Sequence, residues 1–125
     1  MQRTALITGA SAGLGVEFAH QLGARGYDLI LVARRREKLE DVAHALREKT
    51  GQRVDTLSAD LASPDAPREI WEATQSEGWN VDYLVNNAGS AGPSLFEEKD
   101  WAPQATFLEL MMLSVTHMCH HFVPP

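Results

Sequence analysis

Residues 4–15 read Thr4-Ala5-Leu6-Ile7-Thr8-Gly9-Ala10-Ser11-Ala12-Gly13-Leu14-Gly15, a short apolar run that breaks into a loop of glycines and small residues. Thr4 to Thr8 has the length and composition of a buried strand, and a helical pattern follows the loop. Leu14, Phe18 and Leu22 recur at i, i+4 and i+8 before Gly26, which predicts a helix whose bulky face packs on a sheet. At such a junction glycines let the backbone approach a pyrophosphate, and the helix N-terminus stabilises its charge. On this reading a side chain at Gly13 or Gly15 obstructs the approach. The spacing is Gly-x-x-x-Gly-x-Gly rather than the commoner Gly-x-Gly-x-x-Gly, so the loop is one class of nucleotide cradle and not another. Taken alone, the glycines also fit an ordinary turn between strand and helix.

Working outward, Asp28 to Ala33 is a second, almost wholly apolar strand, and Leu39, Val42, Ala43 and Leu46 mark a helix that stops at Gly51. Val54 to Ala59 predicts a third strand. Ser63 as N-cap and Pro64 at the first helical position then open a helix to about Gly78, with Pro67 still in its first turn. Val81 to Asn86 predicts a fourth strand, followed by a loop rich in Gly, Ser and Pro and an apolar helix from about Pro103 to Val123. This βαβα alternation predicts one α/β domain over residues 1–125, a partial Rossmann-type doubly wound parallel sheet with flanking helices. Right-handed crossovers give the strand order 3-2-1-4, and ligand is expected at the strands' carboxyl ends.

The bulk properties narrow the classes of function. The chain has 125 residues and is 44% hydrophobic, enough for one domain with a real core. Its net charge is -6 with Lys and Arg interspersed among acids, so no nucleic-acid partner is expected. No stretch approaches the roughly 20 apolar residues of a membrane span. Ala5-Leu6-Ile7 is too short for a signal peptide's apolar region, and the lone Cys119 forms no internal disulfide. A cytoplasmic location is therefore expected.

The end of the second strand bears on ligand choice. An acidic side chain there binds a free ribose 2'-OH, whereas arginine stabilises a 2'-phosphate. This strand ends Ala33-Arg34-Arg35, which predicts NADP(H) as the preferred cofactor, with NAD(H) as the second candidate. Arg34, Arg35 and Arg36 also read as a solvated cluster at the start of a helix.

Thr8 to Gly15, combined with Asn86-Asn87-Ala88-Gly89 after the fourth strand and Asp60-Leu61 after the third, resembles the N-terminal motifs of the classical short-chain dehydrogenase/reductase family. The resemblance covers essentially the whole chain and corresponds to about the first half of a family member. It implies that Gly9, Ser11, Gly13, Leu14 and Gly15 surround the cofactor's phosphates and adenosine ribose. It further implies that Asp60 accepts a hydrogen bond from the adenine amino group beside Leu61, and that Asn87, Ala88 and Gly89 line the floor. With Arg34 and Arg35 these are the expected cofactor-binding residues. Considered singly, Asp60 also reads as a turn-forming carboxylate and Asn86-Asn87 as an Asx turn.

The same resemblance implies an NADP(H)-dependent oxidoreductase that reduces a carbonyl or oxidises an alcohol by hydride transfer. Family members act with a serine and a Tyr-x-x-x-Lys pair. Tyr27 and Tyr83 are followed at the fourth position by Leu31 and Asn87, so no catalytic residue is assigned and the 125 residues alone are expected not to turn over. The chain is expected to stop before that segment. A family asparagine in the last helix falls at Ser114, which is given no catalytic role. The competing reading is a non-catalytic nucleotide-binding or interaction module. His117, His120 and His121 share a helical face near Cys119 and are read as rim or packing residues rather than metal ligands. Met111, Met112, Met118 and Phe122 are read as core or contact surface, and an unpaired fourth strand beside an apolar helix predicts a homo-oligomer through the C-terminal helix.

Overall fold

Neighbouring residues on the two central strands face opposite layers, and both layers are covered. β1 (Thr4–Thr8) turns Ala5 and Ile7 to one side and Leu6 to the other, and β2 (Asp28–Ala33) divides Leu29, Leu31 and Ala33 from Ile30 and Val32 in the same way. Strands buried on both faces must be apolar throughout, which is why their sequences show no alternation. β3 (Val54–Ser58) pairs with β2, and β4 (Tyr83–Val85) pairs with β1, all parallel, in the order β3-β2-β1-β4. This is the partial doubly wound sheet that the crossover rule predicts. The structure is a computed structural model and describes residues 1–124; Pro125 lies outside the described residues.

α1 (Gly13–Ala24) and α2 (Arg36–Thr50) cover one face, where Ala19, Leu22, Leu39, Ala43 and Leu46 complete the core. α3 (Ala66–Ser76) and α5 (Ser114–Phe122) cover the other through Ala66, Ile70 and Met118. α4 (Trp101–Leu108) runs through a π segment (Glu109–Leu113) into α5, so the predicted last helix is continuous but carries a widened turn. It begins earlier than Pro103, which stands in its first turn where the missing N–H has no helical acceptor to lose. Met118 is buried and Phe122 packs on that core, whereas Met112 is exposed. α3 meets α5 through Trp71 and His121, whose rings stack 5.2 Å apart. Burial there, with His117 and then His120 beside it, lowers the pKa of His121 from its ordinary value.

Four local expectations are corrected. α3 starts at Ala66 with Asp65 as its N-cap, not at Ser63 and Pro64, because residues 60–65 form successive turns: Ser63 N–H donates to the Asp60 carbonyl at 2.9 Å and Ala66 N–H to the Ser63 carbonyl at 3.2 Å. Those turns first carry Leu61 into the core. β4 is shorter than Val81 to Asn86, since beyond Val85 the Asn87 N–H turns to the Thr8 hydroxyl oxygen at 3.0 Å, and β3 stops one residue early at Ser58.

The fourth correction concerns the face of α1. Leu14 is 71% exposed and Phe18 42%, whereas Gly15, Ala19, Leu22 and Gly23 are buried. The helix approaches the sheet through its small residues, so only Leu22 of the predicted stripe is inside. Phe18→Ala is therefore expected to cost less than about 1 kcal/mol, whereas Ala19→Leu overpacks the seam by about 1–3 kcal/mol. Urea denaturation of the two variants checks this, and equal losses would restore the bulky face.

Candidate cofactor site

The loops that leave the four strands at their carboxyl ends enclose a cleft of about 430 Å³. Of the expected residues, Gly9, Ser11, Arg34, Arg35, Asp60, Leu61, Ala88 and Gly89 line it. Gly13, Leu14, Gly15 and Asn87 do not, and their places show what they do instead.

Gly9 has φ +65°, and a Cβ there would meet Asn87 Nδ2 at 2.8 Å and Ala88 Cα at 3.0 Å. A Cβ on Gly15 would run into the Gly9 carbonyl group, 2.7 Å from its carbon, and also come within 2.8 Å of Asn87 Nδ2. The first turn of α1, the loop and the end of β4 thus meet at one point where only hydrogen fits. Gly15 is required by backbone packing behind the cleft, not by the approach of a ligand. Gly13 has open space for a Cβ but φ +56°, so its requirement is conformational.

Thr8 was missed as a positioning residue. Its hydroxyl oxygen accepts the N–H groups of Asn87 and Ala88 at 3.0 Å each, and Asn87 Nδ2 donates to the Gly9 carbonyl at 3.2 Å. These contacts fasten the loop after β1 to the loop after β4. Thr8→Val keeps the shape but removes the acceptor of two half-buried N–H groups, leaving Ala88 without that bond and Asn87 with only the Val85 carbonyl at 3.1 Å. It is expected to destabilise the chain by about 1–3 kcal/mol, and Thr8→Ser to recover most of the loss, as thermal melts would report.

Asp60 combines a turn with a place at the cleft. Its Oδ1 accepts the Ala62 N–H at 3.0 Å, forming the Asx turn, while the residue still borders the cleft. Lys38, which sequence reasoning also missed, lines the cleft with Arg34 and Arg35. The available signal was position, because Lys38 falls in the first turn of α2, directly after the strand end that carries Arg34 and Arg35. Arg47, Arg53 and Arg68 pair with carboxylates, but among the described residues no salt bridge involves Arg34, Arg35 or Lys38. Thr106 and Leu110 close the cleft from α4 and the π segment. Ser114 is buried, and its hydroxyl donates to the Leu110 carbonyl at 2.6 Å, so its proton is committed to its own helix.

A ligand suited to this cleft carries phosphate toward Gly9, Ser11 and the cations, and presents an apolar ring face to Val32, Ala33, Leu61 and Ala88. The parallel sheet, the stripped glycine junction and the cleft at the strand ends together define a nucleotide-binding α/β protein. The model of the short chain dehydrogenase family matches residues 3–125, and the chain belongs to that family. It is 43% identical over 95 residues to the 11-beta-hydroxysteroid dehydrogenase 1A of Arabidopsis thaliana, covering 76% of this chain and 27% of that protein. The crystal structure of L-sorbose reductase from Gluconobacter frateurii, complexed with NADPH and L-sorbose, is 31% identical with a TM-score of 0.90, covering 98% of this chain and 47% of the reductase. A short-chain dehydrogenase from Sphingobium yanoikuyae in complex with NADPH is 32% identical with a TM-score of 0.89, covering 98% and 47%. The chain spans less than half the length of each of these proteins. Among the described residues no helix is long and apolar enough to cross a membrane.

Proposed function

We propose that this chain is the cofactor-holding part of an NADP(H)-dependent oxidoreductase that interconverts a carbonyl and an alcohol. The observation that carries the reading is the trio of cations, Arg34, Arg35 and Lys38, at the end of the cleft beside β2, which form no salt bridge among the described residues. A 2'-phosphate supplies the negative charge they lack. Complexes of similar dehydrogenases with NADPH support the same choice.

The nicotinamide ring, when bound, supplies the hydride exchanged with the substrate carbon. The residues of this chain bind and orient. Gly9, Ser11 and the start of α1, at Gly13, Leu14 and Gly15, hold the diphosphate, with Gly15 and Asn87 acting through the backbone they position. Asp60 and Leu61 receive the adenine end, Arg34, Arg35 and Lys38 the 2'-phosphate, and Ala88 and Gly89 form the floor. No Tyr-x-x-x-Lys occurs in these 125 residues, so a polypeptide of this length binds cofactor without transferring hydride. Trp101, Met112 and Leu113 are exposed apolar side chains of the C-terminal helix, which favours self-association through it. A single cysteine accords with a cytoplasmic setting.

Titration of the purified chain with NADPH and NADH, followed by tryptophan fluorescence, tests the reading. Saturable binding of NADPH at least about tenfold tighter than NADH is expected. Equal dissociation constants, or no saturable binding by folded protein, would overturn it.

A further inference from the structure

We propose that His117 and His121 form a chelating site for a divalent transition cation of the Zn2+, Ni2+ and Cu2+ class, separate from the nucleotide cleft. The two residues lie four apart on α5, so their side chains stand one above the other on the same face. Their Nε2 atoms share a hydrogen bond of 3.0 Å, with ring centroids at 4.8 Å, and a cation would take the place of the shared proton as the donating ring moves its proton to Nδ1. Two bonds of about 2.0–2.1 Å to one cation, at angles between cis-octahedral and tetrahedral, need nitrogens about 2.9–3.4 Å apart. The observed separation falls inside that window.

The pair is also oriented before any cation arrives. The His121 ring stacks on Trp71 of α3 at 5.2 Å and 21°, while Met118 of the same helix is fully buried and fixes its rotation. His120 lies 6.4 Å from the His117 ring and edge-on to His121 at 5.2 Å, and among the described residues its nitrogens make no hydrogen bond to either ring, so it stands outside the pair. Among the described residues no group of three His, Cys, Asp or Glu side chains converges, so solvent completes the coordination shell and the affinity is modest. Both histidines are only partly buried, which leaves them open to a hydrated cation, and the net charge of -6 favours cation approach. Neither residue lines the nucleotide cleft. A bound cation would staple the last turns of α5 and hold His121 against α3, stabilising the folded chain by mass action.

Calorimetric titration of the tag-free chain with Zn2+ tests the site. One cation per chain is expected, with His117→Asn and His121→Asn each weakening binding about tenfold or more and His120→Asn by less than about twofold. Should a variant fail to fold, long-range proton–nitrogen spectra of the unmodified chain decide instead. There the Nε2 resonances of His117 and His121 move together on adding Zn2+, while those of His20 and His44 stay. No saturable binding at millimolar Zn2+, undiminished binding in both folded variants, or ring shifts confined to other histidines would overturn the proposal.

Discussion

Gly15→Ala is expected to lower the melting temperature by roughly 10 °C and to reduce NADPH binding below detection. The added methyl has no free volume, because the Gly9 carbonyl carbon stands 2.7 Å from its position and Asn87 Nδ2 stands 2.8 Å away. Both neighbours are tethered: Asn87 donates to that same carbonyl, and Thr8 holds the Asn87 backbone. Relief requires α1 to lift from the loop, which moves the helix N-terminus away from the phosphate position. Gly13→Ala provides the comparison, since its Cβ meets nothing and it incurs only the cost of a positive φ, about 1 kcal/mol. Differential scanning calorimetry separates the two. A Gly15→Ala variant that melts with the parent chain would mean that this junction is looser than its contacts imply.

Replacing Arg34 and Arg35 together by serine is expected to weaken NADPH binding about 100-fold and to leave NADH within about threefold. Each charge-assisted contact to a phosphate contributes about 1.5 kcal/mol or more, and two such losses give that factor. NADH lacks the 2'-phosphate and loses nothing comparable. Because all three cations are exposed, the NADPH affinity of the parent chain should also fall as salt rises, and that slope should flatten in the double variant. Parallel losses for both nucleotides would instead place the two arginines in general support of the cleft. Retention of tight NADPH binding would leave them as the solvated cluster that their sequence also allows.

Much of the architecture was legible because its signals are local or topological. Apolar runs of strand length, separated by helical periods and glycine stops, require a parallel sheet, and the handedness of crossovers leaves the order β3-β2-β1-β4. The loops at the strand ends then converge on one cleft, which is why Gly9, Ser11, Asp60 and Ala88 share it despite their separation along the chain. Helix faces were less legible. A bulky stripe on α1 outweighed its small residues in the pattern, although Gly15, Ala19 and Gly23 set how closely the helix lies on the sheet. The start of α3 was displaced for a related reason: residues 60–65 serve the burial of Leu61 before they serve a helix.

By itself, then, the order of residues determined the strand sequence of the sheet, the end at which the cleft opens and most of the loop positions that line it. Tertiary structure alone decided which side of α1 is buried, that Gly15 and Asn87 act from behind the cleft, that Lys38 joins Arg34 and Arg35, and that Thr8 ties two loops together. The division follows from range. Periodicity and turn chemistry act over a few neighbouring residues, whereas Thr8 meets Asn87 across 79 positions, and a contact of that kind exists only once the sheet has brought its strand ends together.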